Sequence, residues 1–126
     1  MKHRAIKPIC LLLVLLPFTS TAEEGESWQV YSSAKVLYKV YGLGLGDEGP
    51  PTTKDAKVAF GVTGSAAKQM FDAMGPDRKD ECGPQPGVRF RSKDGGRLIC
   101  TKERSSYRCA FGFNLKSGKS IGGLIC

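Results

Sequence analysis

The sequence predicts an α+β fold: a small disulfide-stapled domain in which an antiparallel meander of about four strands over 87–126 is packed by one or two helices, over about 33–41 and 65–74. Three observations carry that expectation. Apolar and polar residues alternate through the C-terminal part of the chain. Two earlier stretches place apolar residues at helical spacing and end at Gly42 and Gly75. Four cysteines lie beyond the N-terminal apolar segment.

The chain has 126 residues, a length that fits one domain. Residues 1–22 read as a secretory signal peptide. Lys2, Arg4 and Lys7 form the charged start, residues 11–16 the apolar centre, and Ser20 and Ala22 the small residues at −3 and −1. The apolar run is shorter than the ~20 residues that span a bilayer. Cleavage after Ala22 leaves a single exported domain over 23–126, periplasmic or secreted, and the short leader favours a bacterial source. The one histidine, His3, goes with the leader. A Ser-His-Asp triad, a Cys-His pair and a histidine metal site are thereby excluded from the processed chain.

Cys10 falls inside the leader, so Cys82, Cys100, Cys109 and Cys126 remain. An even count in a short exported chain points to two disulfides. With no C-x-x-C pair the set does not read as a zinc site, and no metal or cofactor is expected. A two-residue turn at Arg104-Ser105 places Glu103 opposite Ser106 and Cys100 opposite Cys109. That is a non-hydrogen-bonded site, where Cα atoms approach to about 4.5 Å, within disulfide range. Cys82 is then left for Cys126. A two-residue turn at Ser117-Gly118 instead sets Cys126 opposite Cys109, so 82–100 with 109–126 stands as the alternative.

The elements follow in order. Residues 23–27 are a polar start. Val36, Leu37, Val40 and Tyr41 have i, i+4 spacing, which predicts a helix over 33–41 ended by Gly42. Residues 42–53 are a loop. Gly44-Leu-Gly-Asp-Glu-Gly49 matches G-x-G-x-x-G by letter but runs into Pro50-Pro51 instead of opening a helix, which removes the dinucleotide reading. Asp47-Glu48 reads as a solvated turn rather than a calcium site. Val58, Phe60 and Val62 alternate as a strand over 57–62. A helix over 65–74, capped by Thr63 or Ser65 and ended by Gly75-Pro76, presents Ala66, Ala67, Met70, Phe71 and Met74 to a sheet. Ala34-Lys35 and Ala67-Lys68 open two segments of similar outline, each closed by glycine, and both are expected to be helical.

Residues 77–87 form a charged connection pinned by Cys82, and the meander follows with strands over 88–92, 97–102, 107–115 and 120–125. A three-residue turn at 94–96 pairs Phe90 with Cys100. Val88, Phe90, Leu98, Cys100, Cys109, Phe111 and Phe113 then share the core face.

Charge gives the functional reading. The chain carries 19 Lys and Arg against 12 Asp and Glu, +7. Without the leader it carries 16 against 12, +4. Residues 87–126 hold nine basic and two acidic groups, while 23–86 hold seven and ten. Alternation directs Arg89, Arg91, Arg97 and Arg108 to the open sheet face, where guanidinium forks would grip the carboxylates of an acidic protein. The expected function is therefore a non-enzymatic exported binding protein, an inhibitor or immunity-type protein acting on a cell-wall-degrading or toxic enzyme. A secreted virulence or antimicrobial-type protein that binds anionic membrane or cell-wall polymer is the first alternative. The second is a small hydrolase using Asp80 and Glu81, since glycoside cleavage needs only two carboxylates. Nucleic acid is a poor partner for an exported chain without a recognition motif.

Overall fold

The computed structural model describes residues 31–79, 82–83 and 85–125. The leader, the polar start at 23–27, Asp80, Glu81 and Cys126 lie outside those residues. The elements are β1 (Lys35–Tyr41), β2 (Lys57–Thr63), α1 (Gly64–Ala73), β3 (Val88–Lys93), a 3-10 turn (Asp94–Gly96), β4 (Leu98–Glu103), β5 (Ser106–Asn114) and β6 (Ser120–Ile121). Six strands form one antiparallel sheet in the order β1-β2-β5-β4-β3, with β6 also on β5. The architecture is a mostly-β form of α+β, with one strand more than expected, β1, and one helix.

The segment expected as a helix over 33–41 is β1. Its apolar residues satisfy both periods: Val36 and Val40 are i, i+4 neighbours, but Val36, Tyr38 and Val40 also alternate. The β-branched and aromatic side chains favour the pleated alternative. Pairing decides it, because β1 aligns along its whole length with β2, from Lys35 opposite Thr63 to Tyr41 opposite Lys57. The similar segment opening at Ala67 lacks β-branched residues and is helical, so the shared outline does not imply a shared structure.

The spine of the sheet is β5. On one side it pairs with all of β2, bringing Phe60 opposite Phe111 and Val62 opposite Cys109. On the other side β4 takes Ser106–Ala110 and β6 takes Gly112 and Phe113. The four-strand meander is therefore corrected: β2, from upstream, claims the edge expected for the last strand. That last strand shrinks from 120–125 to Ser120–Ile121 because the chain then crosses β5. A Cβ on Gly123 would collide with the backbone of Phe111, so the crossing requires glycine there.

The β4–β5 register matches expectation, with Glu103 opposite Ser106 and Cys100 opposite Cys109. The two cysteines form a disulfide with Cα atoms 4.0 Å apart. This excludes the 82–100 and 109–126 pairing. Cys82 is also disulfide-bonded; Cys126 lies outside the described residues, and so does the expected Cys82–Cys126 pairing.

The β3–β4 register is one residue off. Arg91, not Phe90, lies opposite Cys100. Asp94, Gly95 and Gly96 adopt φ of 53°, 60° and 82°, and the Arg97 amide donates to the Asp94 carbonyl at 3.2 Å. Arg97 thus joins the turn, and Lys93 pairs with Leu98. One residue of slip exchanges the faces of a strand. Val88 and Phe90 move to the face away from α1, and Arg89 and Arg91 move under it.

The helix packs over β2, β4 and β5. Its Ala67, Phe71 and Met74 meet Val62, Cys100 and Cys109, flanked by Ala66, Met70, Leu98, Tyr107 and Phe111. The stripe is the expected one. Thr63 occupies the N-cap position without a side-chain cap bond. At the other end the Met74 amide donates to Met70 and Phe71, and Gly75 turns the chain at φ 82°. The opposite sheet face buries Ala59, Phe90, Ile99 and Ala110.

Candidate functional site

The four arginines expected on one face are divided among three settings. Arg89 and Arg91 lie on the helix side and converge on Asp77, which follows α1. Arg89 Nε donates to Asp77 Oδ2 at 2.7 Å, and Arg91 Nε donates to Oδ1 at 2.8 Å. Arg91 Nη1 also donates to the Phe71 carbonyl at 2.6 Å, and its guanidinium lies 4.0 Å from the Phe71 ring centroid. Only 13% of the Arg91 side chain is exposed. These bonds, led by the one from Arg89, hold the Asp77 carboxyl down at about 2. This pair therefore clamps the helix end to β3, and its guanidinium forks are already engaged. Arg97 is also engaged, with Asp94 Oδ1 at 3.0 Å inside its own turn.

Arg108 differs. It lies opposite Thr101 on β4 and Thr63 on β2, on the face away from α1. It is exposed and forms no ion pair with any described residue. It lines an open cleft of about 810 Å³ between the start of α1 and the β4–β5 hairpin. Thr63, Ser65, Thr101 and Ser106 supply hydroxyls there, Lys68 a second cation and Glu103 a carboxylate.

The cleft wall includes Tyr107, whose ring packs edge-on against Phe71 at 5.6 Å between centroids. Lys68 Nζ and Lys102 Nζ flank that ring at 5.7 and 5.4 Å. Lys68 pairs with Asp72 one turn along the helix, which raises the lysine and lowers the carboxyl. Cations, hydroxyls and an aromatic edge suit the recognition of carboxylate or other oxygen-rich groups.

Of the residues expected at the site, only Arg108 reaches this cleft. Lys68 and Tyr107, which also line it, were not expected. Their available signal was the Lys68–Asp72 spacing on the polar side of α1, together with the position of Tyr107 beside the Arg104-Ser105 turn. Asp80 and Glu81 lie outside the described residues. The loop after β1 forms the expected turn: Asp47 Oδ2 accepts from the Gly44 amide at 2.9 Å, and the Asp47 amide donates to the Gly44 carbonyl at 3.1 Å. Among the described residues no three His, Cys, Asp or Glu side chains group as metal ligands. No helix there is long and apolar enough to cross a membrane. Comparison with protein-family models, characterised proteins and solved structures finds no match.

Proposed function

We propose that this chain is an exported, non-enzymatic binding protein of the inhibitor or immunity type, whose partner is an acidic protein, a cell-wall-degrading or toxic enzyme, seated at the Arg108 cleft. Arg108 carries the reading: it is the one arginine of the expected four whose guanidinium is not engaged by a described carboxylate, and it is held on a rigid element. Behind it the Cys100–Cys109 disulfide ties β5 to β4, so little order remains to be gained on association. Lys68 lines the same cleft and adds positive charge from the start of the helix. Glycosidases that cleave cell-wall polymers present paired carboxylates, a target that a fixed guanidinium fork complements.

The test is inhibition of peptidoglycan hydrolysis by a carboxylate-dependent glycosidase, with wild type and Arg108→Ala compared at equal concentration. Wild type is expected to inhibit near stoichiometrically, and the variant more weakly. Wild-type binding to anionic liposomes in place of enzyme inhibition would support the membrane reading instead. Peptidoglycan cleavage by the protein alone would support the hydrolase.

A further inference from the structure

The two edges of the sheet are protected differently. At β3 the residues Arg89, Arg91 and Lys93 crowd one face, and the Arg78 amide donates to the Phe90 carbonyl at 2.7 Å. Charge and cover of this kind keep an edge from pairing. The β1 edge lacks both on its helix-side face, where Val36, Tyr38 and Val40 align while α1 lies over β2, β4 and β5. Val36 and Val40 are each 42% exposed and Tyr38 is 72% exposed, with Leu37 on the other face at 69%. Of the two lysines in the strand, Lys39 is drawn back onto the following loop, donating to the Leu45 and Asp47 carbonyls at 3.3 and 3.4 Å. Six exposed residues, Lys35 to Val40, make a largely apolar edge that is a template for another strand.

We propose that the strand it takes is β1 of a second copy, paired antiparallel about a two-fold axis at Tyr38, so that two sheets become one. The sequence of β1 selects this occupant. A two-fold axis perpendicular to the sheet keeps helix-side faces together only when opposing residue numbers sum to an even value. Centring on Leu37 sets Lys35 against Lys39, and centring on Lys39 sets that lysine against itself; like charges directly opposite are unfavourable. Centring on Tyr38 pairs all seven residues and sets no lysine against lysine. Val36 meets Val40, Tyr38 meets Tyr38, Leu37 meets Lys39 and Lys35 meets Tyr41. The apolar row left uncovered by α1 is thereby matched with an identical row. This surface is separate from the Arg108 cleft and does not depend on its role.

Sedimentation equilibrium of the disulfide-intact protein tests the pairing, with wild type, Tyr38→Lys, Tyr38→Cys and Val36→Cys compared. Wild type is expected to reach twice the monomer mass and stop there. Tyr38→Lys places like charges at the axis and removes an aromatic pair, so the dissociation constant should rise about tenfold or more, with the far-UV spectrum unchanged. Mild oxidation should give a covalent dimer from Tyr38→Cys and not from Val36→Cys, because only residue 38 faces its own copy. A wild-type monomer at every accessible concentration overturns the proposal. So does an assembly that keeps growing, an undiminished dimer in Tyr38→Lys, or cross-linking through residue 36 instead of 38.

Discussion

Replacing Arg91 with alanine should destabilise the fold, although the sequence pattern alone marks this arginine as a surface residue. Three interactions are lost together. The Phe71 carbonyl loses a charged donor at 2.6 Å, and hydrogen bonds to charged groups contribute about 1.5–3 kcal/mol. The Phe71 ring loses a guanidinium 4.0 Å from its centroid, a contact worth about 1–2 kcal/mol when partly desolvated. Asp77 keeps Arg89, so its loss is the smallest of the three. Because the interactions share one side chain they do not simply add, and the expected cost is about 2–4 kcal/mol. A domain of this size has about 5–15 kcal/mol in total, and each kcal/mol moves the midpoint by about 4–8 °C. Urea unfolding followed by far-UV circular dichroism, with disulfides intact, reads the change as a lower midpoint at unchanged slope. Arg91→Lys should recover only part, because an ammonium cannot reach the carbonyl, the ring and Asp77 at once. A loss below about 0.5 kcal/mol, the range of ordinary surface changes, would refute the clamp. An equal loss in Arg108→Ala would refute the separation of structural from binding arginines.

Phe71 is 1% exposed, and Phe71→Ala should cost about 3–5 kcal/mol; half-buried Phe111→Ala should cost less, and the same urea titrations rank the two. The folded Asp77 carboxyl is held at about 2, below the ordinary value of about 3.9. Its contribution is thus complete above that ordinary value and is lost as pH falls toward about 2, so Asp77→Asn should flatten the acid limb of midpoint against pH. Replacing Cys100 and Cys109 with serine opens a loop of separation 9 and should lower stability by about 2.5 kcal/mol, measured by the same unfolding. The exported protein should begin at Glu23 by N-terminal sequencing and show almost no free thiol after denaturation; two reactive thiols would contradict two disulfides.

Local pattern carried much of the fold. Alternation in β2 and β5, the Ala67–Phe71–Met74 stripe and the two-residue turn that aligns Cys100 with Cys109 all depend on residues close in sequence. The errors lie where a distant partner or one backbone angle decides. Val36 and Val40 fit a helix and a strand equally, and β2 settles the choice. The pairing of β2 with β5 joins segments about fifty residues apart, and periodicity does not reveal it. The positive φ at Asp94 lengthens a turn by one residue, and that slip moves Arg89 and Arg91 from the open face to the helix side. The candidate site was legible only in Arg108, because β5 kept its register. Lys68 and Tyr107 join it through packing of α1 on the sheet, which charge spacing does not encode.

The most direct measurement of the binding claim is the association rate constant with the inhibited enzyme, taken for wild type and Arg108→Ala across a range of ionic strength. If the cleft recognises an acidic partner, the wild-type rate should fall steeply with added salt, and the variant should be slower and less salt-dependent. Both proteins should unfold at the same urea concentration. Identical rates and salt slopes for the two proteins would contradict the account and move the interface away from Arg108.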